Sequence, residues 1–103
     1  MTEASEQPEL RRNDAQSRYE VWYDGTLAGF AEYQENENET TFTHTEVDSA
    51  FEGKGLGSRL ARFGIEDALG RSRRIRPECP FIRSYLERHP QYSEHVIDIT
   101  SNE

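Results

Sequence analysis

The feature that most constrains this chain is a change of period near its centre. Tyr19, Val21 and Tyr23 alternate with Glu20 and Trp22, Leu27 to Gln34 reads as a return strand, and Thr40 to Val47 is threonine-rich around Phe42. Such alternation and β-favouring residues predict three strands. Asp24-Gly25 separates the first two, and both residues tolerate positive φ, so a tight hairpin is expected there. The polar run Glu35-Asn36-Glu37-Asn38-Glu39 makes the next turn. From Leu56 to about Arg73 the spacing becomes helical. Arg59, Arg62, Glu66 and Arg73 share one stripe, while Leu56, Leu60, Ala61, Phe63, Ile65, Ala68 and Leu69 fill most of the rest. A helix of that kind buries a wide face against a sheet. Arg74 to Glu78 reads as a short strand, with Pro77 suiting an edge or an end. Pro80 opens a further helix that Pro90 stops, and Val96 to Ile99 is a weak last strand. The order β-β-β-α-β-α-(β) predicts an α+β layer sandwich.

At 103 residues, 33% apolar and a mean hydropathy of −0.97, the chain has material for one core. Residues 1–17 hold almost no apolar side chain and are expected to be a disordered leader, with one domain over 18–103. No apolar run approaches the roughly 18 to 20 residues of a membrane span, and no basic start precedes an apolar stretch. Membrane and secretory readings are excluded on that ground. The lone cysteine, Cys79, allows no internal disulfide and points to a reducing, cytoplasmic setting.

The net charge of −8 is unevenly spread. Residues 19–50 carry eight acids and no base, whereas 51–103 carry eight acids and nine bases. Segregation of this kind suggests two surfaces with different partners. Nucleic-acid binding through a basic face is disfavoured.

Between the third strand and the first helix stands Phe51-Glu52-Gly53-Lys54-Gly55-Leu56-Gly57-Ser58. A helix start offers unpaired N–H groups and a positive dipole end, and glycines let an anion approach the backbone. The spacing is neither GxxxxGK[ST] nor GxGxxG. A flexible strand-to-helix turn is the plain alternative.

Strand, x-x-G-x-G and helix together resemble the pyrophosphate loop of the GNAT superfamily of acetyl-CoA-dependent N-acetyltransferases. The further blocks His44-Thr45-Glu46-Val47, Cys79-Pro80-Phe81 and Tyr85-Leu86-Glu87-Arg88-His89-Pro90-Gln91-Tyr92 resemble its short YidJ-like or NATD1-like branch. The resemblance covers about Tyr19 to Val96. Glu52 stands where Gln or Arg usually begins the superfamily loop, and the short branch is similar to this chain at that position.

The resemblance implies a GNAT-like α/β/α sandwich in which an antiparallel meander ends in a central strand, followed by the loop and helix. It implies that the backbone of Gly53, Lys54, Gly55, Leu56, Gly57 and Ser58 holds the coenzyme A pyrophosphate. The backbone around Thr45 and Val47 would pair with the pantetheine arm, with Pro80 and Phe81 beside it. The matching cysteine of the branch lies by the acetyl-CoA thioester, which gives Cys79 a place at the chemistry. Tyr85 falls near the tyrosine that protonates the leaving thiolate in such enzymes.

Acetyl transfer to an amine needs a base for the ammonium proton and an acid for the thiolate. His44 and Glu46 lie two apart on one strand, so alternation puts them on the face of Phe42, and either suits the base. A hydrogen-bonded packing role is the plain alternative for His44, and a surface carboxylate for Glu46. A helix start at Pro80 favours the Cys79 thiolate and predicts a partly exposed, reactive thiol; a small buried residue is the plain alternative. His89 suits a helix C-terminus. Arg83 and Arg88 suit either cofactor phosphates or water. Cys79, His44, His89 and His95 have no metal-ligand spacing, and no metal is expected. The reading is an acetyl-CoA-dependent N-acetyltransferase, monomeric, acting on a cationic amine that suits the acidic stretch 19–50. A coenzyme A-binding module with little catalysis and an acidic interaction protein imitating nucleic acid are the alternatives.

Overall fold

The computed structural model describes residues 8–97. Five strands form one sheet in sequence order: β1 (Glu9–Asn13), β2 (Arg18–Tyr23), β3 (Thr26–Glu35), β4 (Glu39–Val47) and β5 (Arg74–Pro77). The first four run antiparallel in succession, and β5 lies parallel to β4. Between β4 and β5 the chain forms a 3-10 turn (Ser49–Phe51) and helix α1 (Leu56–Gly70). Helix α2 (Pro80–Glu87) and a 3-10 turn (Pro90–His95) follow. Asp24 and Gly25 turn the β2–β3 hairpin at φ 54° and 79°, as their residue types predict.

The N-terminus departs from expectation. Residues 9–13 are not leader but β1, with Leu10 opposite Val21 and Arg12 opposite Tyr19. Leu10 packs on the core, Arg12 Nη1 donates to Asp67 of α1 at 2.8 Å, and Asn13 Nδ2 to Glu20 at 2.9 Å. Those partners are distant in sequence, so local composition does not reveal them. Residues 1–7 of the expected leader lie outside the described residues, as do Asp98 and Ile99 of the expected last strand. Val96 makes a single bridge to Ile75.

The α+β class is the expected one; the layering is not. Leu60, Ala61 and Ile65 of α1 share one core cluster with Ile82, Tyr85 and Leu86 of α2 and with Tyr19, Val21, Phe42 and Ile75 of the sheet. Tyr92 Oη, beyond α2, donates to Glu66 of α1 at 2.7 Å. Both helices therefore lie side by side on one face, and the described residues make two layers in place of three. Strand side chains cover the other face themselves. Glu20 is only 3% exposed there, and accepts from Asn13, Arg18 and Trp22 at 2.9, 2.8 and 2.9 Å. Arg11 and Arg18 stack on Trp22 and Phe30, each 4.9 Å from the ring centre.

The far end of α1 is fixed by charge. Arg71 sends a fork to Glu35 at 3.0 and 2.6 Å, and also donates to Asp67 and to the Tyr19 hydroxyl. Tyr19 Oη in turn donates to Asp67 at 2.9 Å, and Thr40 Oγ1 to Glu35 at 2.7 Å. Burial pushes the Glu35 and Asp67 carboxyls up, but hydrogen bonds from Arg71 and Thr40, and from Tyr19, Arg12 and Arg71, outweigh it and hold both below the usual range. Glu20 behaves likewise, its donors outweighing its burial.

Two outcomes follow for stability. A chain starting at Arg18 loses β1, the Arg12–Asp67 pair and one donor to Glu20. It should be less stable by about 2 kcal/mol or more, and circular dichroism should show Tm lower by roughly 10 °C. Carboxyls held low in the folded state stabilise it above their unfolded pKa of about 4, and that stability is lost as pH falls through their folded values. Tm should thus be flat from neutrality to about pH 5 and fall below about pH 4. Asp67→Asn should lower Tm at neutral pH and make the acid limb shallower.

Candidate active site

β4 has partners on both sides only along its first half. β5 pairs with it from Glu39 to Phe42, the last pair being Phe42 with Pro77. The Cys79 N–H then donates to the Phe42 carbonyl at 2.8 Å, and Pro80 turns the chain into α2. From His44 to Val47, β4 keeps β3 but has no β5 partner. The sheet therefore parts where β4 runs into the glycine loop.

A β-bulge changes what that second half presents. Tyr33 faces Phe42, and the next pair is Glu32 with His44, so Thr43 is the extra residue. Beyond it the alternation is reversed. Thr45 lies opposite the buried Ala31, and its Oγ1 accepts from Cys79 Sγ at 3.2 Å. His44 and Glu46 lie opposite Glu32 and Phe30 on the outer face, against the expectation that they share the face of Phe42. They pair with each other, Nε2 to Oε2 at 2.8 Å, with side chains 52% and 60% exposed. His44 also stands 6.3 Å from the Phe30 ring centre.

The loop is built to leave its backbone open. Asp48 donates its N–H to the Ala28 carbonyl at 2.8 Å and accepts from the Ala50 N–H at 2.9 Å, which starts the turn. Gly53 and Gly55 have φ of +87° and +74°, a region that strains most residues but not glycine, and no atom lies within 4 Å of where a Cβ would stand. Gly55 caps α1 without a side-chain acceptor for the first-turn donors. The N–H groups of Leu56, Gly57 and Ser58 have no intrahelical partner by geometry, and the positive end of the helix dipole lies with them. The Leu56 side chain is buried, so only its backbone faces outward. A Cβ on Gly57 would stand 2.8 Å from Cζ of Phe81, so this glycine lets α2 lean on the start of α1. Lys54 Nζ lies 5.3 Å from the ring centre of Tyr23, whose ring meets Phe51 edge-on at 5.9 Å.

The remaining sequence candidates separate. Cys79 is 2% exposed, so the expected partial exposure is not found: Thr45 and the core cover it. Tyr85 is buried between α1 and α2 and stacks on His89 at 4.0 Å, while His89 Nδ1 meets the Tyr85 carbonyl at 2.7 Å. Burial pushes the Tyr85 hydroxyl up, with Arg62, Glu66 and Arg88 contributing smaller opposed effects. Pro80 and Phe81 are exposed at the start of α2, and Val47 ends β4 beside Gly29. The structure thus joins Thr45 to Cys79 and Gly57 to Phe81, and sets His44 with Glu46 on the other side of β4. Sequence patterning does not find Tyr23 or the Thr45 hydroxyl, because both act through contacts far along the chain.

Residues 18–96 match the family model described as GCN5-related N-acetyl-transferase. The chain belongs to that family. Protein NATD1 of Gallus gallus is 31% identical over 55 residues, which are 52% of this chain and 50% of that protein. The chain thus spans about half the length of the curated relative it matches. The solution structure of a GCN5-like protein from Staphylococcus aureus superposes with a TM-score of 0.69 at 18% identity, covering 98% of this chain and 97% of that one. A ribosomal-protein-alanine N-acetyltransferase from Brucella melitensis biovar Abortus 2308 gives 0.59 at 18% identity over 84% and 64%. At such identities the two structures establish the fold.

Burial of Cys79 sets an outcome for its reactivity. The native thiol should react with Ellman's reagent at least about ten times more slowly than in denaturant, because access requires opening of the α2 start. Thr45→Ala removes the hydroxyl that accepts from its Sγ and should speed the native reaction.

Proposed function

We propose that this GNAT-family chain transfers the acetyl group of acetyl-CoA to a cationic amine in the cytoplasm, through one domain that includes β1. The observation that carries the reading is the parting of β4 from β5 directly before a glycine loop with an open backbone. A strand edge, a helix start and two left-handed glycines meet there, which suits an extended thioester arm joined to a pyrophosphate. Acetyl-CoA, when bound, supplies an activated acyl carbon and a thiolate leaving group.

The backbone N–H groups of Gly53 to Ser58 hold the pyrophosphate, and the free edge of β4 around Thr45 to Val47 pairs with the pantetheine arm. Pro80 and Phe81 border that arm, and Cys79 forms part of the wall behind Thr45. His44 removes a proton from the incoming ammonium at Nδ1, while its Nε2–H donates to Glu46, which orients the ring. Tyr85 is the acid, since a tyrosine hydroxyl is protonated across the neutral range. The acceptor is cationic because carboxylates remain free for it. Arg18, Arg71, Arg73 and Arg76 pair with Glu20, Glu35 and Glu39 and His44 pairs with Glu46, whereas Asp24, Glu32, Glu37 and Asp48 have no basic side-chain partner among the described residues.

Calorimetric titration with acetyl-CoA and transfer assays on amine and peptide panels test the reading. Gly55→Asn keeps a residue type that tolerates left-handed backbone and adds bulk where the phosphate must approach. It should keep Tm within a few degrees and weaken binding by at least about ten-fold. Unchanged affinity in the folded variant refutes the loop assignment. Binding without transfer to any amine leaves a coenzyme A-binding module, and absence of binding favours an acidic interaction protein.

A further inference from the structure

Lys54 is the only lysine in the chain, beside eleven arginines, and the only lysine or arginine between Arg18 and Arg59. It stands inside the glycine loop and is exposed, yet it makes no ion pair with a carboxylate among the described residues. Its ammonium lies instead over the face of Tyr23, 5.3 Å from the ring centre. We propose that Tyr23 is a positioning residue for this cation: its ring holds the Lys54 ammonium above the loop, where it meets the pyrophosphate of coenzyme A.

The geometry carries this in three steps. Tyr23 is the last residue of β2, and the tight Asp24-Gly25 turn fixes where its ring emerges. The ring is half-buried and braced edge-on against Phe51, which itself packs on the core, so it is not free to swing away. The ring face attracts a cation but leaves the other side of the ammonium open, so ring and phosphate are able to share it. A lysine side chain otherwise loses much rotamer freedom on meeting a phosphate; a stem already held in place loses less. The β2–β3 hairpin, remote in sequence from the loop, thereby becomes part of the cofactor site.

The proposal rests on the assignment of the loop to coenzyme A, and the test separates the two. Lysine-selective labelling gives a single side-chain signal set, because there is one lysine. The ε-methylene signals should be shifted upfield by the ring in the wild type and in Tyr23→Phe, and should return to ordinary positions in Tyr23→Leu. In calorimetric titration with coenzyme A, Tyr23→Phe should bind like the wild type and Tyr23→Leu about threefold more weakly. Lys54→Gln should weaken binding further, and adding Tyr23→Leu to Lys54→Gln should cost nothing more. Equal binding by Tyr23→Leu and the wild type overturns the proposal alone. So does a Tyr23→Leu loss that persists undiminished in the Lys54→Gln background, since the ring would then act on loop shape and not on the cation. A folded wild type that does not bind coenzyme A overturns the loop assignment, and this proposal with it.

Discussion

The hydrogen bond from the Cys79 N–H to the Phe42 carbonyl is where the sheet stops being closed. Up to that bond β4 is paired on both sides; past it, β5 has become the start of α2. Pro80 makes the departure abrupt, because a proline at the first helical position cannot continue a ladder but fits the first turn of a helix. Without this parting, the second half of β4 would be an interior strand with no free edge to offer. With it, the free edge, the loop glycines and the start of α1 lie consecutively along one short stretch of chain. The bulge at Thr43 adds a second consequence by giving the two faces of that stretch different chemistry. Thr45 meets a buried thiol on the inner face, and His44 with Glu46 meets water on the outer one.

Charge plays a different part in the folded chain from the one its linear distribution suggests. Several acids of the first half and arginines of the second half are partners: Arg71 and Arg73 reach Glu35, and Arg76 reaches Glu39. These contacts pin the end of α1 and the edge strand β5 to the turn between β3 and β4. Part of the acidic excess is therefore spent on holding the fold, and what remains for a partner is smaller than the count of residues implies. The outer face of the sheet shows the same economy. Among the described residues no helix lies above it, and Arg11, Arg18 and Trp22 cover a buried carboxylate in place of one.

Patterns of short range were legible in the sequence. The strands from Arg18 to Val47, the Asp24-Gly25 turn, both helices and the glycine loop between strand and helix all depend on neighbours within a few residues. The four blocks that resemble GNAT proteins were legible too, and the family match bears them out. The strand at Glu9–Asn13 was not, because Leu10, Arg12 and Asn13 find their partners on Val21, Asp67 and Glu20. The side of β4 on which His44 stands was not, because a single extra residue reverses an alternation that is otherwise read with assurance.

By itself, then, the sequence determined the class of fold, the order of most elements, and the place of the loop. Periodicity and backbone preference are local properties, and they survive being read one residue after another. Only the tertiary structure decided that both helices share one face, that Cys79 is buried, that β1 belongs to the sheet, and that Tyr23 stands over Lys54. Each of those depends on which surfaces meet across long stretches of chain, and on a one-residue register shift that changes no composition and leaves no periodic trace.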